Sequence, residues 1–327
     1  MSDAPSAVAE QPSFHGEGGA LFMLHLKSVL LSIVTLGIYS FWGRTRIREY
    51  LWSQTELAGD RFAYHGTGGE LLKGWAIATA VLAVLYALVS FVIPMLLEPV
   101  LGLQGAQAIG GLVLYACIGL LLPVAMVGAR RYRLSRTSWR GIRFSFRGSP
   151  KDLLKIYIVG GFLTMITLTL YSPFLRNDLR KFFTDHARFG TVEFGFDGKG
   201  FDLFRQYFLM LLLTIPTLGL CWFWYAAAQD RYYWEHTSIG EARFKSTMTG
   251  GNLLGQTVIA MLLTIFTFGL GAPWAMVRLS KFRCDTLALA GTVDLASIEQ
   301  LAQAASGTGE GLATALDVDG LDMGIGL

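Results

Sequence analysis

The chain repeats itself. An aromatic residue followed by a short polar, glycine-bearing turn stands at Phe14, Tyr64, Phe146 and Phe196, with a weaker version at Ser246. The spacing is about 50 residues, except for ~82 between the second and third, and a period of this size implies that one structural unit is stacked several times. Other positions keep the same register. Thr35-Leu36-Gly37 matches Thr167-Leu168-Thr169, Thr217-Leu218-Gly219 and Thr267-Phe268-Gly269. Trp42, Phe174, Trp224 and Trp274 share one offset, and the pairs Glu49-Tyr50, Lys181-Phe182, Arg231-Tyr232 and Lys281-Phe282 share another. The long second unit rejoins at Arg131-Tyr132. The pattern predicts a disordered N-terminus over 1–13, five units at about 14–63, 64–145, 146–195, 196–245 and 246–295, and an acidic, glycine-rich tail over 296–327.

Within a unit, Ala20, Glu70, Asp152, Asp202 and Asn252 stand six residues after the anchor and just ahead of an apolar run. Four of the five suit a helix start, where side-chain oxygens or negative charge meet free N–H groups. Each unit closes on an alternating segment, Arg61–Tyr64, Arg143–Phe146, Glu193–Phe196 or Ala242–Lys245, and this period of two predicts a short strand. A lone hairpin is marginal in water, so strands of several units are expected to pair near the membrane surface.

At 53% hydrophobic and 16% charged residues, with a mean hydropathy of +0.46, the chain is too apolar for an ordinary soluble domain, where about 25% charged is usual. The expected fold class is a mainly α polytopic membrane protein of five tandem helix-break-helix units with short interfacial β-strands. No signal-peptide pattern precedes the first run. A simple count gives six membrane segments, with two in the second unit. Charge conflicts with that count, because every connector is basic: Arg44, Arg46 and Arg48; Arg130, Arg131 and Arg133; Arg180 and Lys181; Arg231; Lys281. The positive-inside rule prefers all of them in the cytoplasm. Either the runs dip and return at breaks containing Thr35, Gly37, Thr167, Thr217, Gly219, Thr267 and Gly269, or the units alternate as inverted repeats. Dipping satisfies charge and repeat identity together.

The chemistry-bearing residues form no site in the sequence. Cys117, Cys221 and Cys284 have no metal or redox spacing, and His15 and His65 occupy turns whose counterparts are Arg147, Asp197 and Thr247, which is not a ligand set. The glycine turns lack the Lys-Ser/Thr ending of a phosphate loop. No nucleophile-base or paired-carboxylate pattern is legible. No enzyme, cofactor, metal or nucleic-acid partner is therefore expected. The basic connectors, interleaved with aromatics directly after apolar runs, suit lipid headgroups or an anionic ligand. Membrane lipids are the expected partner, and a homo-oligomer or other membrane proteins are compatible ones. The reading is a structural, lipid-interacting or assembly-forming membrane protein; the alternative is a channel or transporter with its site at the Thr-x-Gly breaks. Tail acids could meet the basic connectors.

FHGEGGALF, LLSIVTLGIYSFWGRTRIREYLW and GDRFAYHGTGGELLKG, with FKSTMTGGNLL and APWAMVRLSKFRCDTLALAG later, resemble the YjgN-like family of bacterial inner-membrane proteins, a domain family of unknown function. The similarity covers about residues 12 to 295. It implies a bacterial inner-membrane location, joining the multi-pass reading from the apolar runs, and no assigned activity, and the tail lies outside it.

Overall fold

A computed structural model describes residues 10–291, 298 and 308–316. Residues 1–9 of the stretch expected to be disordered and most of the expected tail fall outside them, whereas Glu10 and Ser13, within that stretch, pair with the sheet.

The elements recur in one order. β1 (Ser13–Phe14), α1 (Gly18–Val34), α2 (Ser40–Ser53) and β2 (Thr55–Leu57) are followed by β3 (Asp60–Tyr64) and α3 (Gly68–Ala87). After a π-helical turn over Leu88–Val92 come α4 (Ile93–Arg136), β4 (Thr137–Trp139) and β5 (Ile142–Phe146). The third unit holds α5 (Pro150–Ile166), α6 (Ser172–Asp185), β6 (Ala187–Phe189) and β7 (Val192–Phe196). Next are α7 (Gly200–Leu213), α8 (Cys221–Glu235), β8 (Thr237–Ile239), β9 (Ala242–Ser246), α9 (Gly250–Phe266), α10 (Ala272–Thr286) and β10 (Leu287–Ala290). A short tail helix, α11, covers Thr308–Ala315.

Among the described residues, ten strands pair antiparallel with their sequence neighbours in a single curled sheet. Just before β1, Glu10 exchanges two backbone hydrogen bonds with Leu289 of β10, at 2.9 and 2.8 Å, so the ends of the sheet meet. This sheet corrects the expected polytopic helical bundle. Its strands are not an accessory at the membrane surface but the element joining every unit to the next. The helices flanking the Thr-x-Gly breaks, at 14 to 17 residues, are about 21–25 Å long, shorter than the ~30 Å hydrocarbon core. Only the stretch Gly68–Arg136 is long and apolar enough to cross a membrane among the described residues.

The short apolar runs turn back at the breaks. At the first, Gly37 N–H donates to Ser32 C=O at 2.7 Å and Leu36 N–H to Ile33 C=O at 3.3 Å, which is the pattern of a Schellman C-cap. The Thr35 hydroxyl donates to Leu31 C=O at 2.7 Å and accepts from Tyr39 N–H at 2.9 Å, bridging the end of α1 to the start of α2. Thr167, Thr217 and Thr267 make the same two bonds. Reversal requires two consecutive left-handed residues: φ is 50° and 89° at Leu36 and Gly37, and 48° and 75° at Leu168 and Thr169. Glycine reaches this region without steric cost, whereas Thr169 does not.

The second hairpin is longer. Its arms meet at Gly102 (φ 67°, ψ 167°) and pack antiparallel, with Val89 and Pro94 beside Gly110. Each arm of ~34 residues is roughly 50 Å long.

Of the predicted helix-start residues Glu70 takes part in a side-chain cap, and ahead of Asp152 and Asn252 the cap is a hydroxyl three residues earlier. Thr67 and Glu70 form a capping box at α3, and the Ser149 and Thr249 hydroxyls accept from Lys151 and Asn252 N–H. At the base of the hairpins, the Tyr50 hydroxyl accepts from Glu17 N–H at 2.8 Å and Tyr232 from Lys199 N–H at 2.6 Å, while Tyr132 donates to Glu70 at 2.9 Å.

Replacing Thr169 with glycine removes a β-branched side chain from a left-handed position and should stabilise the fold by about 1 kcal/mol. Thermal unfolding in detergent micelles checks this, and the expected result is a higher midpoint for T169G than for wild type.

Candidate functional site

The sheet is two-faced because side chains alternate along a strand. One face carries Phe62, Trp139, Phe144, Phe189, Phe194, Ile239, Phe244 and Leu289, which converge on an apolar chamber of about 170 Å³. The rings touch in sequence: Phe62–Trp139 at 5.9 Å, Trp139–Phe189 at 5.5 Å and Phe144–Phe189 at 4.8 Å between centroids. Phe189 is fully buried, and Ile298 of the tail packs into the same cluster. The other face carries ion pairs such as Arg188–Glu193 and Arg243–Asp197.

Where strands pass into helices, the charges turn inward. Arg48 (α2), Arg130 (α4), Arg180 (α6) and Asp230 (α8) occupy one offset of the recurrence. Arg130 and Arg180 are each 3% exposed. Arg180 donates to the Thr237 hydroxyl at 3.3 Å and lies over the Tyr233 and Trp234 rings. Burial, and then the neighbouring Arg130, pull its pKa down to about 10. Burial also lifts Asp230 above the ordinary carboxylate range, against the Ser246 hydroxyl that donates to it at 2.9 Å.

The tightest charge cluster joins the tail helix to the helical wall. Glu310 of α11 is completely buried. One carboxylate oxygen lies 2.7 Å from Arg48 Nη2, and Arg133 Nε reaches both, at 3.2 and 2.9 Å. Burial works against the Arg48 charge, but Glu310 and then Tyr64 hold its pKa above the ordinary arginine value. Around the clamp, Leu312 and Ala313 pack against Ala78, Ala125 and Ala129 of α3 and α4. A Cβ on Gly311 would fall 2.0 Å from the Gly74 backbone, so only glycine allows this approach. One tail acid thus does meet two connector arginines.

The remaining candidate contacts divide. Arg131 donates to Gly148 C=O at 3.0 Å, Lys181 to Phe196 C=O at 3.1 Å and Arg231 to Met248 C=O, each tying a helix to the turn that opens the next unit. Arg44, Arg46 and Lys281 are exposed, and Arg44 reaches the Thr314 hydroxyl at 3.4 Å. The break residues Thr35, Gly37, Thr167, Thr217, Gly219, Thr267 and Gly269 lie at hairpin apices, at the opposite end of the helices from the chamber. His15 sits beside Ser13 and Glu56, and His65 beside Ser138. No group of side chains suited to a metal ion occurs among the described residues. Sequence reasoning missed the inward aim of Arg48, Arg130, Arg133 and Arg180; the offset shared by Arg48, Arg130 and Arg180 at the strand end of each helix was the available signal.

The sequence profile of a family described as "Bacterial protein of unknown function (DUF898)" matches residues 9–226 and 207–315, most of the chain. The chain belongs to the DUF898 family. The match extends over the tail helix, which the sequence resemblance left out. Curated relatives of this DUF898 chain are named "Inner membrane protein YjgN". One from Escherichia coli strain K12 is 33% identical over 42% of this chain and 31% of its own length. Another, from Escherichia coli O157:H7, is 32% identical over 43% of this chain and 32% of its own. A third, from Salmonella typhimurium strain LT2, is 25% identical over 47% and 39%. The matched region thus spans about a third of the length of these relatives. Their names support a place in the bacterial inner membrane. No solved structure matches the chain.

Because burial holds the Asp230 pKa up in the folded state, the fold binds that proton more tightly than the unfolded chain. The resulting stability is present at low pH and is lost as pH rises from the ordinary carboxylate value through the raised one. Asp230→Asn should remove this fall. Unfolding free energies measured from pH 3 to 7 check it, and a flatter profile in the variant is expected.

Proposed function

We propose that this DUF898 protein is a non-enzymatic, lipid-interacting membrane component, seated in the inner membrane from its cytoplasmic side and built from internal repeats of one hairpin unit. The observation that carries the reading is the apex residue of the four short hairpins: Leu36, Leu168, Leu218 and Phe268 are 94%, 82%, 92% and 96% exposed. Ile33, Val34, Met165, Ile215 and Phe266 extend the same apolar crown. An apolar side chain held outward on a strained backbone gains nothing in water, whereas burial in lipid is worth about 1.5–3 kcal/mol for each fully covered residue.

Charge sets the depth. Arg44 stands about two turns from its apex, roughly 10 Å along the helix, so the first hairpin reaches no deeper than one leaflet of a ~30 Å core. The second hairpin differs in both length and apex. No charged residue lies between Lys73 and Glu98 or between Glu98 and Arg130, and exposed Glu98, Gln104 and Gln107 flank its turn. This polar apex suits the far surface. Four hairpins thus dip while one passes through, and the basic connectors share the cytoplasmic side. The channel or transporter alternative finds no support at the breaks, where the threonine hydroxyls bond to their own helices and the neighbouring side chains point outward.

A fluorophore on Leu218→Cys should be quenched most by lipids brominated deep in the acyl chain. Quenching confined to headgroup labels would contradict the reading. Leu218→Asp and Phe268→Asp together should weaken vesicle binding at least tenfold, since each removes burial worth more than 1.4 kcal/mol.

A further inference from the structure

We infer that the aromatic chamber inside the curled sheet binds the ring of a small aryl carboxylate, whose acid group is met at the rim by Arg283. The inference adds a ligand site to the membrane component proposed above and does not depend on how that component is seated.

Three observations carry it. First, the chamber is roomy and apolar. At about 170 Å³ it exceeds the gaps of ordinary interiors, where few voids are larger than a water molecule. An apolar cavity of about 150 Å³ stays dry and takes up benzene. Water finds little to bond to here, because the two threonines in the wall donate their hydroxyls to their own helices, Thr55 to Leu51 C=O at 2.9 Å and Thr137 to Arg133 C=O at 3.0 Å.

Secondly, much of the wall is ring. Trp52, Phe62, Trp139, Phe144, Phe189 and Phe244 all line the space. Aromatic pairs gain from edge-to-face and offset contacts beyond the area they bury, so a ring is favoured over an alkyl chain of equal volume.

Thirdly, the chamber has an entrance, and the entrance is positively charged. It lies at the seam of the sheet, where β1 and β10 meet through the Glu10–Leu289 bridge. Pro12 follows that bridge, lines the chamber and has no N–H to extend a ladder. The seam continues through a side-chain bond, Gln11 Nε2 donating to Asp285 C=O at 2.7 Å. Arg283 stands two residues before Asp285, is exposed and also lines the chamber, so the space reaches solvent here. A guanidinium meets a carboxylate with two parallel N–H bonds, and with five donors it keeps other contacts while doing so. Asp285, at i+2, does not share the helix face of Arg283.

Charge and volume together select the ligand. A neutral aromatic fills the chamber but leaves the rim contact unmade, whereas a long-chain acid carries more hydrocarbon than the space admits.

The test uses the full chain in phosphatidylcholine nanodiscs, with empty nanodiscs as blank and calorimetry of 3-phenylpropionate, 3-phenylpropanol and hexanoate. Wild type should bind 3-phenylpropionate saturably at one site per chain, and absence of such binding would overturn the inference. Arg283→Gln should weaken 3-phenylpropionate about tenfold and leave 3-phenylpropanol unchanged; equal affinity for the acid in this variant would overturn the rim contact. Ile239→Trp and Leu57→Trp each fill the chamber and should abolish binding, and undiminished binding in either, with a wild-type thermal midpoint, would place the ligand elsewhere. A second readout covers the case in which neither folds. 3-(4-Bromophenyl)propionate should quench the tryptophan fluorescence of wild type, and less so a chain carrying Trp52→Phe and Trp139→Phe; equal quenching would overturn the chamber as the site. Hexanoate binding as tightly as 3-phenylpropionate would overturn the aromatic class and assign the chamber to alkyl acids. Calorimetry reads the chamber whichever way the hairpins sit, so its failure leaves the membrane seating intact, and failure of the apex-quenching measurement leaves the chamber intact.

Discussion

A chain that reverses within hydrocarbon has no water to take up the carbonyl and N–H groups freed at its helix ends. Thr35, Thr167, Thr217 and Thr267 take up part of that load with one hydroxyl each, donating back to the outgoing helix and accepting from the returning one. The next two residues complete the cap in a left-handed conformation. Much follows from this turn. In the proposed seating it keeps the short hairpins on one side with their basic flanks at one level, and it brings each chain end back to where a strand can start.

The sheet answers a different constraint. Two- to five-residue strands cannot hold a hairpin alone, but ten of them joined in sequence order, with Glu10 meeting Leu289, leave few unpaired edges and enclose an aromatic interior. The same closure aims one offset of the connector inward, and there Arg48, Arg130, Arg180 and Asp230 become wall residues. A polytopic bundle would have spread those side chains over two surfaces.

Legibility in the sequence tracked the length of each signal. Helix starts at Glu70 and Asn252, the breaks at Thr35 and Thr267, and the strands around Phe62, Phe144, Phe194 and Phe244 were readable because their chemistry is local. β4, β6 and β8 were not, since three residues such as Thr137–Trp139 show too little alternation to mark a strand. Ring closure through Glu10 depends on a partner some 280 residues away, which no local pattern encodes. The tail helix was hidden for a similar reason: Glu310 looks like one acid among many until Gly311 is set against Gly74. The reversal of the helical runs was favoured on charge rather than read from the runs themselves, because an apolar stretch with a capped turn in its middle has the composition of a crossing helix and half its reach.

One measurement bears most directly on this account. Single cysteines at Ala58, Arg140, Thr191 and Glu241, placed in a cysteine-free chain, sit in the four turns between paired strands. Labelling with a membrane-impermeant maleimide should reach all four in inverted inner-membrane vesicles and none in intact spheroplasts. Reaction of alternate turns from opposite sides would show that the short runs cross the membrane, and would contradict the reversal at Thr-x-Gly on which the account depends.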